Sequence, residues 1–207
     1  MSAVRHPLHP LRTFCALALL VLALAGTRSA EASPEQFISN LAQQAIAVSS
    51  QQAPENQKVE QYRTLLKTSF NVEGIGQFVL GRYWRKATDA EKTEYMRLFE
   101  EYIVRSYAKR FSAYQGEQLR VLGSQPGQNG STIVGSSFQN PGGGEPVRID
   151  WQVYPVGGSY QVVDVIVEGV SMGVTQRSEF ASVIRRGGGN VEAIISALKK
   201  ILSHLQS

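Results

Sequence analysis

The sequence predicts an α+β domain with a four-stranded antiparallel meander between two groups of helices. Three observations carry this. The first 80 residues after an apolar leader and the last 35 carry apolar residues at helical spacing. Between them lie four short runs, Gln118–Leu122, Ser131–Phe138, Val147–Val156 and Ser159–Glu168, separated by turn-rich segments. Helices, then strands, then helices is the α+β order, whereas alternating βα units would indicate a parallel sheet.

The chain of 207 residues opens with a targeting segment. Arg5 and Arg12 form a positive region, Phe14–Ala25 an apolar stretch, and Ala30-Glu31-Ala32 a small-x-small cleavage site. The apolar stretch is shorter than the roughly 18–20 residues of a membrane span. Residues 1–32 therefore read as a cleaved secretory signal peptide and 33–207 as a single domain. Cys15 lies inside the apolar stretch with no lipobox around it. Cleavage removes three arginines and one glutamate, so the formal charge falls from +4 to +2. That balance offers no clustered basic face for nucleic acid. The mature chain contains no cysteine, hence neither disulfide nor thiol chemistry, and about 175 residues bury a core without staples.

Ser33–Ser50 reads as a helix, with Phe37, Leu41, Ala45 and Val48 on one face and Pro34 in its first turn. Pro54 interrupts, and Glu55–Phe70 resumes with Val59, Tyr62, Leu65, Leu66 and Phe70. Val72–Tyr83 is a shorter segment. Asp89–Tyr114 is the strongest helix: Thr88 and Glu91 form a capping box, and Gly116 suits the position after the end. Such a helix runs roughly 40 Å. After the strands, Thr175–Arg186 is helical until Gly187-Gly188-Gly189, and Asn190 caps a last helix.

The segment Pro146–Met172 is a hairpin turning at Gly157-Gly158. Its second strand places Val162, Val163, Val165, Ile166 and Val167 on both faces, where an antiparallel strand usually leaves one face to water. An apolar partner must cover that face, a helix layer or a bound lipid. A two-residue loop pairs Trp151 with Asp164. A three-residue loop pairs it with Val163 and sorts the faces better, so the latter register is expected.

Gly169-Val170-Ser171-Met172-Gly173 matches the nucleophile-elbow pattern, and Ser171, Glu179 or Glu192, and His204 follow in hydrolase order. His204 is the only histidine after cleavage and lies four residues from the C-terminus, and the chain is short for the large parallel sheet such enzymes need. A glycine-rich strand exit with a capping serine explains the motif better. One histidine and no cysteine exclude the usual transition-metal sites. Asp150 and Asp164 lie on adjacent strands and are candidates for an acid/base pair. Phe78, Tyr83, Trp84, Tyr95, Phe99, Tyr102, Tyr107, Phe111 and Tyr114 crowd one stretch. Both a packed core and a cavity mouth satisfy this pattern, since five tyrosines need partners for their hydroxyls.

Phe78-Val-Leu-Gly-Arg-Tyr-Trp84, Ala87-Thr-x-x-Glu91, Tyr107, Phe111 and Tyr114-x-Gly116 resemble the MlaC family of toluene-tolerance auxiliary proteins. Pro146-Val-Arg-Ile-Asp150 and Asp164-x-Ile-Val-Glu-Gly-Val-Ser-Met172 extend the resemblance over nearly all of Phe70–Leu202. It implies a twisted four-stranded sheet with a helical subdomain, NTF2-like, and a lipid cavity between them. It also implies a periplasmic carrier with phospholipid as cargo and no cofactor. The implied partners are an inner-membrane MCE–ABC transporter and an outer-membrane lipoprotein–porin complex. Gly173–Ile184 is similar to the hopanoid-transport-associated, HpnM-like branch, which implies a hopanoid and an RND-type transporter instead. The expected cavity residues are Phe78, Val79, Tyr83, Trp84, Phe99, Tyr102, Tyr107, Phe111, Trp151, Val153, Val163, Val165 and Val167. Two other classes remain, an NTF2-like enzyme with Asp164 as general base and a lipid-free periplasmic adaptor of a transporter.

Overall fold

The computed structural model describes residues 33–205, which belong to one unit. The expected leader, including Arg5, Arg12, Cys15 and the Ala30-Glu31-Ala32 site, lies outside the described residues. Among the described residues no helix is long and apolar enough to cross a membrane.

Helix α1 (Pro34–Ser49) begins where Ser33 accepts a bond from the Gln36 amide, with proline in the first turn. Helix α2 (Glu55–Ser69) follows Pro54, and α3 (Val72–Leu80) is capped by Asn71 and runs into a 3₁₀ turn at Gly81–Tyr83. Helix α4 (Asp89–Ser112) starts with the full capping box: the Glu91 amide donates to Thr88 Oγ1 and the Thr88 amide to Glu91 Oε2. It ends two residues before Tyr114, because the amides of Ala113 and Tyr114 turn back to Arg110 and Phe111 in a tightened last turn.

The sheet has five strands in sequential antiparallel order. Strand β1 (Gln118–Pro126) outruns its expected end through a bulge between Val121 and Gly123. Strand β2 is Thr132–Gln139, β3 Val147–Val156 and β4 Ser159–Val167. The additional strand β5 (Val170–Ser171) pairs with the end of β4 after a tight turn at Glu168-Gly169. A two-residue strand carries no period, so the sequence pattern hid it.

The expected hairpin register is corrected. Val156 pairs with Ser159 across a two-residue loop whose glycines both have positive φ, 57° and 79°. Then β4 takes in one extra residue: Val153 opposes Val162, but Gln152 opposes Asp164 and Trp151 opposes Val165. Val163 is the bulged residue, and Trp151 pairs with neither Asp164 nor Val163. The bulge breaks strict alternation, which is why β4 reads as apolar on both faces.

Helix α5 (Met172–Arg186) starts three residues before the expected Thr175, with Ser171 as its cap. Helix α6 (Glu192–Leu205) follows Asn190, whose Oδ1 accepts from the Ala193 amide. Apolar side chains sort into three clusters. The largest joins α3, α4, α5 and α6 around Tyr95, Phe99, Ile184 and Leu198. A second joins α1, α2 and α4 around Val59, Tyr62 and Val104. The third packs Ile38 and Leu41 of α1 on Val134, Val153 and Val162 of the sheet. An ion cluster ties α2 to α4: Arg63 reaches Glu100 at 3.3 Å and Glu101 at 2.6 Å, and Arg105 joins Glu101.

Loss of the α4 cap should be measurable. Thr88→Ala is expected to lower stability by about 1 kcal/mol, a fall of roughly 2–4 °C in thermal melts. The Glu91 carboxyl is held below its usual range by the bond from the Thr88 amide and then that from its hydroxyl. Its contribution is therefore complete above the unfolded carboxylate pKa and fades as pH falls through the depressed folded value. Melts across an acid series should show the deficit of Glu91→Gln narrowing in that window.

Candidate functional site

A cavity of about 90 Å³ lies where the three clusters meet without merging. Helix α4 contributes Phe99, Ile103 and Tyr107, a stripe four residues apart. Helix α3 supplies Val72, Ile75 and Val79, and the end of α2 supplies Leu66 and Phe70. The opposite wall is Val162, Val163, Asp164 and Val165, four consecutive residues of β4 around the bulge that all border the cavity. Met172, Gly173 and Gln176 of α5 complete it. Helices α1, α2, α3 and α5 touch β4 directly. Helix α4, the expected cover, faces it across the cavity.

Of the residues expected to line a cavity, Val79, Phe99, Tyr107, Val163 and Val165 border this one. The other eight do not. Phe78 is 44 % exposed and lies beneath the Arg177 guanidinium, 5.0 Å from its ring centre. Tyr83 is buried in the largest cluster, and its hydroxyl accepts from Arg82 at 3.0 Å. Trp84 and Tyr102 pack on the same cluster, Tyr102 against Phe180. Phe111 stacks on Tyr62, with ring centres 5.1 Å apart. Trp151 sits by the third cluster and donates to Ser136 Oγ, and Val153 is buried there. Val167 lies past the wall, opposite Ile149. Aromatic density pointed to the packed cores, whereas the wall is largely aliphatic. The spacing of Val72, Ile75 and Val79, and of Phe99, Ile103 and Tyr107, was the available signal for the missed residues.

Among the described residues, Asp164 is the one carboxylate on the wall. It accepts from Ser171 Oγ at 2.5 Å and from the amides of Gly173 at 3.0 Å and Val165 at 2.9 Å. Ser171 Oγ in turn accepts from the Val174 amide at 3.0 Å. This is a helix N-terminus satisfied by a carboxylate and a hydroxyl. The motif glycines fit the same purpose. Gly169 has φ 78° in the β4–β5 turn, and a Cβ on Gly173 would stand 3.2 Å from Asp164 Oδ1. Among the described residues no hydrogen bond joins Ser171 to Glu179, Glu192 or His204. Glu179 accepts from Gln176, Glu192 from Ser196, and the His204 ring meets the Lys200 carbonyl oxygen. Asp150 pairs with Arg148 and stands opposite Ile166, so the suggested Asp150–Asp164 couple is not assembled. Among the described residues no cluster of histidine, cysteine or carboxylates could hold a metal.

The tyrosine hydroxyls divide. Tyr95 donates to the Gly76 carbonyl at 3.0 Å and is pushed up in pKa by burial, and Tyr114 donates to Glu117. Tyr102 and Tyr107 have no hydrogen-bond partner among the described residues. Burial raises the Tyr107 hydroxyl pKa first; Arg110 opposes this, while Tyr102 and Asp164 add to it. Tyr107 is 37 % exposed as a residue, so part of it meets water.

Fold and site together define an α+β protein with an apolar recess between a bulged strand and its helices. Residues 35–200 match the MlaC protein family, and the chain belongs to that family. It is 21 % identical over 200 residues to the intermembrane phospholipid transport system binding protein MlaC of Haemophilus influenzae, covering 92 % of each chain. It is 24 % identical over 127 residues to the toluene tolerance protein ttg2D of Pseudomonas putida, covering 60 % of this chain and 58 % of that one. Its fold is similar to that of a phospholipid-binding protein from Ralstonia solanacearum solved in complex with a phospholipid. There the TM-score is 0.71 at 18 % identity, over 84 % of this chain and 98 % of the other.

Because the Ser171 hydroxyl is committed to Asp164 and Val174, Ser171→Ala should cost about 2 kcal/mol, a fall of roughly 4–8 °C in the melt. Hydrolysis of short-chain esters should sit at background in both forms. A measurable rate lost in the variant would restore the nucleophile.

Proposed function

We propose that this chain is a periplasmic lipid carrier that buries phospholipid acyl chains in the cavity between β4 and helices α3, α4 and α5. The observation that carries the reading is the wall itself. Val162, Val163 and Val165 of β4 border the cavity opposite α3 and α4, whose lining side chains are aliphatic or aromatic. Among the described residues no lysine or arginine borders the cavity, which suits chains inside and a charged head group outside. Each CH₂ removed from water contributes about 0.8 kcal/mol, so apolar area alone holds such a cargo. Family membership and the relatives' names support phospholipid as the cargo. The similarity of Gly173–Ile184 to the hopanoid-associated branch keeps a hopanoid as the second candidate.

The space is well below the roughly 300–1,000 Å³ of a small-molecule site. Loading therefore requires the clusters to part along the seams where they already fail to merge. The leader at residues 1–32 would deliver the chain to the periplasm. Exchange would take place with an inner-membrane MCE–ABC or RND-type transporter and an outer-membrane lipoprotein–porin complex. Against Asp164 as a general base stands its three-donor cap, which leaves it occupied by α5 rather than facing a substrate proton.

Organic extraction and mass spectrometry of protein purified from a periplasm should return phospholipid at close to one molecule per chain. An empty, well-packed protein would favour the adaptor, and a hopanoid would change the cargo. Val163→Glu or Val165→Asp puts a carboxylate on the wall and should abolish lipid retention. A folded variant retaining its full lipid content would place the cargo elsewhere.

A further inference from the structure

The stripe Phe99, Ile103, Tyr107 measures depth along the cavity. Phe99 is 1 % exposed and Tyr107, two turns on, is 37 % exposed, so the stripe runs from a closed end to a mouth. A lipid lying along it would set its hydrocarbon beside Phe99 and Ile103. The junction between chains and head group would come level with Tyr107. Tyr95 and Tyr114 spend their hydroxyls on backbone carbonyls. Tyr107 borders the cavity with no acceptor among the described residues. Asp164, the nearby carboxylate, is already occupied by Ser171, Gly173 and Val165. The raised pKa keeps the phenol protonated at neutral pH, hence able to donate.

We infer that the Tyr107 hydroxyl donates a hydrogen bond to an ester carbonyl of the bound lipid, and so selects ester-linked lipids over lipids that lack that carbonyl. The inference rests on the lipid-carrier reading. A donor at the edge of an apolar recess favours a ligand that brings a good acceptor, since a ligand without the carbonyl forgoes that bond. The chain is thereby tuned to acyl esters rather than to polycyclic hydrocarbons or ether lipids.

The test is an internal competition. The protein is stripped in detergent and reloaded from vesicles of equal parts diester and diether phosphatidylethanolamine with matched chains. Its bound lipid is then counted by mass spectrometry. Wild type should carry roughly fivefold more diester than diether, the selectivity of one net hydrogen bond, and Tyr107→Phe should bring the ratio near one. Equal loading of both lipids by wild type overturns the inference, as does an undiminished preference in Tyr107→Phe, while the carrier reading survives either result. Failure of wild type to load either lipid removes both. Equal loading by wild type overturns the inference even if the variant does not fold.

Discussion

The carboxylate of Asp164 holds the first turn of α5 against β4, and much of the architecture follows from that attachment. One side chain satisfies a hydroxyl and two amides at the junction of β4, β5 and α5. A negative group at a helix N-terminus is favourable on dipole grounds, and more so where water is partly excluded. With α5 pinned there, Met172, Gly173 and Gln176 border the cavity and complete its wall. The same bonds explain why Ser171 and Gly173 occur where they do. The serine must reach both the carboxylate and the helix, and a side chain at Gly173 would crowd Asp164 and Phe78.

The cavity is a consequence of apolar side chains that divide into three groups instead of one. Phe70, Val72 and Ile103 each lie against more than one cluster, as residues at a seam do. Interiors are normally packed to crystal-like density. A void persisting at such a junction lacks atoms on one side and forfeits dispersion contacts. Filling it with hydrocarbon restores those contacts without disturbing the cores behind it, where Tyr95, Leu198 and Val153 are almost wholly inaccessible.

The helices were legible because their signals are local. Thr88 with Glu91, Pro34 after Ser33, and Asn190 after three glycines mark starts and stops within four residues, and the structure places caps at each. The resemblance in Phe78–Trp84 and Asp164–Met172 reached the family. Register was not legible. A bulge at Val163 leaves no mark in composition, and both registers considered assumed an unbroken ladder. The wall was only partly legible for a related reason. Tyr83, Trp84 and Phe111 are the conspicuous residues, but large rings fill cores efficiently. The seam falls to Leu66, Ile75 and Ile103, which resemble any other core residue until three elements are brought together.

The Arg63 cluster gives the two sides of this seam different sensitivities. Helix α2 is joined to α4 by carboxylate–guanidinium pairs that retain partial access to solvent, with side chains about 19–25 % exposed. The attachments of α3 and α5 around Phe99 and Phe180 are apolar. Dissolved ions weaken the former and leave the latter nearly unchanged. Ionic strength thus acts more on the α2–α4 attachment than on the apolar packing around Phe180, and the walls of the cavity differ in compliance.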